Sequence, residues 1–239
     1  MTDSMITSSS DTPPNLTELR SKLDSGSEKT QLQAVETLAT LTDQGFGVLM
    51  EFLAGRQSAP PDPVAGKVYQ ILSQAKIPPI QEFLDSQFPQ GYGPLNSERG
   101  VDYSDLQRLL VVEDYQEADR LTLQKLCELS GPAAIQRKWL YFSEVDGLPV
   151  TDLQTIDTLW RIYSEGKFGY SVQRQLWLGV NQVWEKLWPV IGWKSGNNWT
   201  RYPQEFTWNL RAPKGHLPLS NQLRGVRFIA ALFAHRAWL

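Results

Sequence analysis

The chain has a single cysteine, Cys127, and only two histidines, His216 and His235, among 239 residues. One thiol excludes an intramolecular disulfide and a cysteine-rich metal centre, and suits a reducing compartment. The two histidines stand far apart with no Cys or Glu cluster around them, which excludes a zinc site of the usual spacing. No apolar run approaches the ~18 residues needed to span a bilayer. The opening "MTDSMITSSSDTPPN" has no basic start, no apolar stretch and no arginine. It reads as neither a secretory signal nor an organelle transit peptide, and residues 1–13 are expected to be a disordered tail on a cytoplasmic protein. GxxxxGK[ST], GxGxxG, HExxH and GxSxG are all missing, so the sequence offers no catalytic constellation. Nothing alternates long enough to build a sheet, and the chain reads as all-α.

What is present is unevenly distributed. All nine tryptophans lie between Trp139 and Trp238. The net charge of −3 divides into −5 over residues 1–100 and +2 over 101–239. Such a contrast predicts two domains: a small helical bundle over 14–88, a linker at 89–100 rich in Gly, Pro and Ser, and a second helical domain over 101–239. In the first, "NLTELRSKLDS" places Leu16, Leu19 and Leu23 at helical spacing behind Asn15 as N-cap. "EKTQLQAVETLATL" runs Leu32, Val35, Leu38 and Leu41, with a turn expected at "DQG". In the second, Thr151 or Asp152 caps a helix whose apolar face is Leu153, Ile156, Leu159 and Trp160. One further helix is expected through "SVQRQLWLGVNQVWEKLWPV", with Val172, Leu176, Val183 and Leu187 inward and its end near Pro189. "LRGVRFIAALFAHRAWL" closes the chain as a helix.

Between Lys194 and Ser220 no period is sustained. A loop of ~25 residues inside a compact domain is functional or disordered, and Trp199, Tyr202, Phe206 and Trp208 make this one too aromatic for plain disorder. Some of those rings should line a groove or be covered by a partner. Seven basic residues, Lys194, Arg201, Arg211, Lys214, Arg224, Arg227 and Arg236, face one acid, Glu205, over 194–236. That balance attracts an anion. Asn221, Arg224 and Arg227 follow one another at i, i+3 and fall near one face of the last helix. Arginines beside an aromatic groove suit a planar ligand with carboxylates at one edge. His216 reads either as a hydrogen-bonding loop residue or as a neighbour of that ligand. Cys127, on an apolar helix face, reads as a core thiol. Asp152 and Asp157 read as caps or members of solvated faces.

The stretches "LWRIYSEGKFGYSVQRQLW", "LWPVIGWKSGNNWTRYPQEFTWNL" and "APKGHLPLSNQLRGVR" resemble the Genomes Uncoupled Four family, porphyrin-binding regulators of magnesium chelatase in chlorophyll synthesis. The resemblance runs over about residues 100–239. Residues 14–88 look like the extra helical bundle of the family's cyanobacterial members. The resemblance implies a non-catalytic, all-helical, hand-like domain whose loops fold over protoporphyrin IX or magnesium protoporphyrin IX. It implies stimulation of the chelatase through its large porphyrin-binding subunit and peripheral association with thylakoid or inner membranes. Carried over position by position, Phe142 and Val145 match the hydrophobic wall, Arg224 and Arg227 the basic positions near the propionates, and Asn221 a polar position near the macrocycle centre. Tyr202 stands where some relatives have tryptophan and keeps a flat apolar face. Lys214 adds charge near the mouth. Magnesium prefers oxygen donors, so water or the Asn221 carbonyl is favoured over His216 as an axial ligand, and no metal is expected on the protein alone. The expected molecule is a monomer that binds no nucleic acid. The rival readings are a single-stranded nucleic-acid-binding module, which needs basic residues spread along a groove, and a docking module without ligand.

Overall fold

The computed structural model describes residues 15–219 and 226–239. The tail expected at 1–13 and two of the expected site positions, Asn221 and Arg224, lie outside the described residues. The fold is all-α, as its periodicity predicts, with one minimal hairpin as the exception. Five helices form the first part: α1 (Leu16–Ser25), α2 (Glu28–Ala39), α3 (Thr42–Ala54), α4 (Pro63–Gln74) and α5 (Pro78–Gln87). The second holds α6 (Ser104–Val111), α7 (Tyr115–Ser130), α8 (Pro132–Arg137), α9 (Val150–Ile162), α10 (Tyr170–Gly179), α11 (Trp184–Val190) and α12 (Arg227–Ala234). Short 3-10 turns lie at Phe142–Gly147 and Arg236–Trp238. The hairpin pairs β1 (Lys194–Ser195) with β2 (Asn198–Trp199), Lys194 opposite Trp199.

Local signals account for most of these elements. The Asn15 side chain accepts from the Thr17 amide at 3.0 Å and starts α1. Asp62 caps α4 by accepting from Val64 and Ala65, with Pro63 in the first turn, the place where a missing amide is harmless. Leu19, Leu23, Val35, Leu38, Val64, Val68 and Leu72 all enter the core.

Three expectations are corrected. The "DQG" triplet is not a turn; it lies inside α3, and the chain reverses at Thr40–Leu41 instead. Gly45 serves close packing, since a Cβ there would sit 1.9 Å from the Leu38 carbonyl oxygen of α2. The single helix expected through Leu187 is two, α10 and α11. It breaks where Asn181 and Gln182 both take positive φ, 56° and 61°, a conformation that ends a right-handed helix. Val183 is consequently 40% exposed rather than inward; the end expected near Pro189 holds, since α11 closes at Val190. The N-cap of α9 is Pro149, not Thr151 or Asp152.

The segment expected as a linker is pinned to the helices on both sides. Tyr92 is buried; its hydroxyl accepts from the Asp62 amide, and its carbonyl accepts from Tyr163 and Gln107. Helix α4 docks directly on the second half. A Cβ at Gly66 would lie 2.1 Å from the Ile162 carbonyl oxygen, so only glycine admits this approach. One turn on, Gln70 donates to the carbonyls of Leu110 and Tyr163, and Lys67 pairs with Glu165 at 2.9 Å and Glu113 at 3.5 Å. Asp152 is buried and receives Ser97, the Glu98 amide and Tyr103. Asp157, also buried, caps a helix other than its own by accepting from the Ser171 amide and hydroxyl at the start of α10. Neither is on a solvated face. Burial has removed both from the surface, and hydrogen bonds compensate the lost hydration.

Candidate functional site

The irregular stretch after the hairpin builds a small core of its own. Phe206 is buried against Trp193, Tyr202, Trp208 and His216, with ring centroids 4.8–6.4 Å apart. The Trp208 indole donates to the Pro203 carbonyl and the Trp193 indole to the His216 carbonyl. The scaffold anchors the loop at several points. The Gly215 amide donates to the Lys167 carbonyl, the Gly169 amide to the Leu217 carbonyl, and the Gln173 side chain to the carbonyls of Gly215 and Pro218. Lys167 reaches the Leu210 carbonyl. With its backbone groups satisfied in this way, a segment without regular structure can hold a defined shape.

Behind it runs a file of stacked indoles. Trp177 stacks on Trp184 at 4.8 Å, Trp184 on Trp188 at 5.4 Å, and Trp188 on Trp193 at 5.8 Å with the planes 5° apart. Trp188 also leans on Trp199 of β2. The front of this assembly stays uncovered: Trp199 is 45% exposed and Tyr202 41%. Each ring packs on one side, Trp199 on Trp188 and under the Lys194 ammonium, Tyr202 on Phe206 and Trp208, and leaves the rest of its apolar surface open to solvent.

The expected positions are thus brought into two groups. Trp199, Tyr202, Phe206, Trp208 and His216 belong to the aromatic shelf, with Phe206 and His216 beneath its surface. Phe142 and Arg227 form the second group. Phe142 is 47% exposed on its 3-10 turn, and the Arg227 guanidinium from the start of α12 lies 5.6 Å from its ring centroid, a cation–π arrangement. Lys214 is exposed. Val145 is fully buried under the turn that carries Phe142, so it shapes the wall from below and does not face outward. Two cavities among the described residues, of about 510 Å³ beside α9, α10 and the C-terminus and about 280 Å³ beside α4, α5 and α6, are lined by none of the expected positions.

His216 takes the hydrogen-bonding role. Its Nδ1 lies 2.7 Å from the Ile191 carbonyl oxygen and so carries the proton, while Nε2 accepts from the Thr207 amide at 3.2 Å. Burial pushes its pKa below the ordinary value, opposed by the bond to Ile191. A neutral ring with both nitrogens engaged has no lone pair left for a metal. Cys127 is buried, and desolvation pushes its thiol up to about 11, as a core thiol requires. The basic residues divide. Lys194 pairs with Glu185 at 2.6 Å and Arg201 with Glu205 at 3.9 Å; Arg211, Lys214 and Arg227 have no ion pair among the described residues.

One residue of this region was not singled out from sequence. Asp119 of α7 is buried and accepts from the Leu219 amide at 2.6 Å. Its signal is an acid in register with Tyr115, Thr122 and Leu126 on the buried face of the helix.

Comparison with known proteins agrees with this architecture. The GUN4-like family pattern matches residues 96–236, and an ARM-like repeat domain described as GUN4-N terminal matches residues 7–89. A Ycf53-like protein of Synechocystis is 50% identical over 227 residues, spanning 94% of this chain and 97% of that protein. An Arabidopsis thaliana protein named "Tetrapyrrole-binding protein, chloroplastic" is 38% identical over 142 residues, 56% of this chain and 54% of its own length. Among solved structures, GUN4 from Chlamydomonas reinhardtii superposes with a TM-score of 0.57 at 39% identity, covering 61% of this chain and 93% of that one. The ligand-free structure of Arabidopsis GUN4 gives 0.54 at 37%, covering 60% and 99%.

Proposed function

The chain belongs to the GUN4-like family, and on that premise we propose that it is a non-catalytic tetrapyrrole-binding protein. Its ligands are protoporphyrin IX and magnesium protoporphyrin IX. It stimulates magnesium chelatase in chlorophyll biosynthesis through the large porphyrin-binding subunit. The observation that carries the ligand assignment is the presence of exposed flat rings, Trp199, Tyr202 and Phe142, together with Arg227, which lies over the Phe142 ring and has no carboxylate partner among the described residues. A porphyrin presents the matching chemistry: a wide apolar plane with two propionates at one edge. Covering one such face removes ~200 Å² or more from water, about 5 kcal/mol gross at ~25 cal/mol per Å². Ordering costs reduce this, leaving an affinity suited to release as well as capture. Arg224 and Asn221 belong to the same proposal, as a second cation near the propionates and a polar contact near the ring centre. No helix among the described residues is long and apolar enough to cross a membrane, so membrane contact in this reading is peripheral.

Titration with deuteroporphyrin IX tests the ligand. Quenching of tryptophan emission that saturates at micromolar concentration is expected, and no quenching at tens of micromolar would reject it in favour of a docking module. A steep loss of binding with added salt would instead favour single-stranded nucleic acid as the partner class. Stimulation of reconstituted magnesium chelatase by the full chain tests the second half of the reading.

A further inference from the structure

We propose that Arg137 and Glu144 are positioning residues of the tetrapyrrole site: their ion pair fixes the 3-10 turn that carries Phe142, so that this ring stands opposite Arg227 before the ligand arrives. The inference rests on the function proposed above and adds two residues to the site that do not themselves face the ligand.

The chain brings the pair together by reversing between its members. Lys138 ends α8 in the left-handed region, at φ 64°, and Leu140 tucks into the core. Arg137 and Glu144, seven residues apart, then meet: Nη2 of Arg137 donates to both carboxylate oxygens of Glu144, at 2.7 and 2.6 Å. The same guanidinium lies 4.5 Å from the Tyr141 ring centroid and 5.2 Å from that of Trp139, two rings in edge contact at 4.4 Å. Glu144 also accepts from the Tyr141 amide at 2.7 Å, while its own amide donates to the Tyr141 carbonyl at 3.1 Å. Phe142 is thus enclosed in a bracket from 141 to 144. The guanidinium anchors that bracket from outside, and the buried Val145 anchors it from below.

Little of this serves the core. The side chains of the pair remain 24% and 27% exposed, and ion pairs open to water add little to stability. Phe142 itself leaves nearly half of its surface in solvent. A short 3-10 turn has poor hydrogen-bond geometry and holds its shape weakly by itself. What the bracket supplies is a fixed place for the ring, 5.6 Å from the Arg227 guanidinium. A ring already in place loses less freedom when a ligand covers it. The sign of the effect separates positioning from simple charge. Glu144 is an acid close to a site for an anionic ligand, so electrostatics alone would have binding tighten when its charge is removed. Positioning requires binding to weaken.

The test is a deuteroporphyrin IX titration of the full chain, with melting curves, for the wild type, Glu144→Gln, Arg137→Met, Phe142→Ala and Glu144→Gln combined with Phe142→Ala. Glu144→Gln should leave the melting midpoint close to that of the wild type and raise Kd about fivefold, the cost of ordering one loosened side chain on binding. Arg137→Met should weaken binding further, because it leaves the Glu144 charge unpaired beside an anionic ligand. In the Phe142→Ala background Glu144→Gln should change Kd by less than about twofold, since the ring it positions is gone. Binding by either single variant that equals or exceeds that of the wild type overturns the role of the pair alone. So does a loss that persists undiminished without Phe142, or failure of both Glu144→Gln and Arg137→Met to fold, which would make the pair a folding requirement. Absence of quenching by the wild type overturns the tetrapyrrole reading itself, and this inference with it.

Discussion

The guanidinium of Arg227 lies 5.6 Å from the centroid of the Phe142 ring, joining α12 to the 3-10 turn that follows α8. Both side chains are exposed, so their mutual attraction adds only about 0.5–1 kcal/mol to stability. Arg227→Ala should leave the thermal midpoint nearly unchanged while raising the Kd for deuteroporphyrin IX about tenfold. Arg227→Lys should recover part of the loss, because it restores the charge without the planar fork. Paired melting curves and quenching titrations check this; equal affinity in Arg227→Ala and wild type would remove the residue from the site.

Gly66→Ala asks whether α4 rests on α9 as described. In an isolated helix the change favours folding by about 1 kcal/mol. Here the new methyl would meet the Ile162 carbonyl oxygen at 2.1 Å, a backbone atom with no rotamer to escape into. The expected result is a loss of about 2 kcal/mol or more in urea denaturation. A more stable variant would show that the two helices stand further apart.

Two kinds of buried group set the pH profile from opposite sides. The pKa values of His216 and His235 are both lowered from 6.5, chiefly by burial. Their contribution is complete above the unfolded value and is lost as pH falls through the folded one, so the melting midpoint should drop as pH is lowered from 7 to 5. Asp119 is raised from 3.8 to about 7. Its contribution is present at low pH and lost as pH rises through 7. Asp119→Asn should therefore be more stable than wild type at pH 8, by up to about 4 kcal/mol at 1.36 kcal/mol per pKa unit, and similar to it near pH 4. Thermal melts across this range decide; a stability gain that is the same at both ends would rule out ionisation as its cause.

The elements that sequence reveals best are those fixed by local chemistry. Asn15 and Asp62 cap their helices through their own side chains, and the leucine ladders of α1 and α2 need only periodicity. The errors arise where distant contacts decide. Gly45 looks like a turn until α2 is seen lying against it. Asp152 and Asp157 look like surface caps until Ser97, Tyr103 and Ser171 arrive from other segments. Asn181 and Gln182 interrupt what reads as one long apolar stripe. Within the site, exposed rings and cations follow from composition, but the division between the uncovered faces of Trp199 and Tyr202 and the interior of Phe206 and His216 does not. It depends on which carbonyls the loop finds on the scaffold, and no spacing in the sequence records those partners.

The file of indoles from Trp177 to Trp193 has a consequence for spectroscopy. Transition dipoles separated by so little exchange excitation faster than they emit, so the four rings behave as one antenna. An acceptor docked against any member drains them all. Emission from this protein will therefore report occupancy with high sensitivity and position with almost none. Locating a bound pigment calls for replacing single rings with phenylalanine and following the exciton couplet in near-ultraviolet circular dichroism.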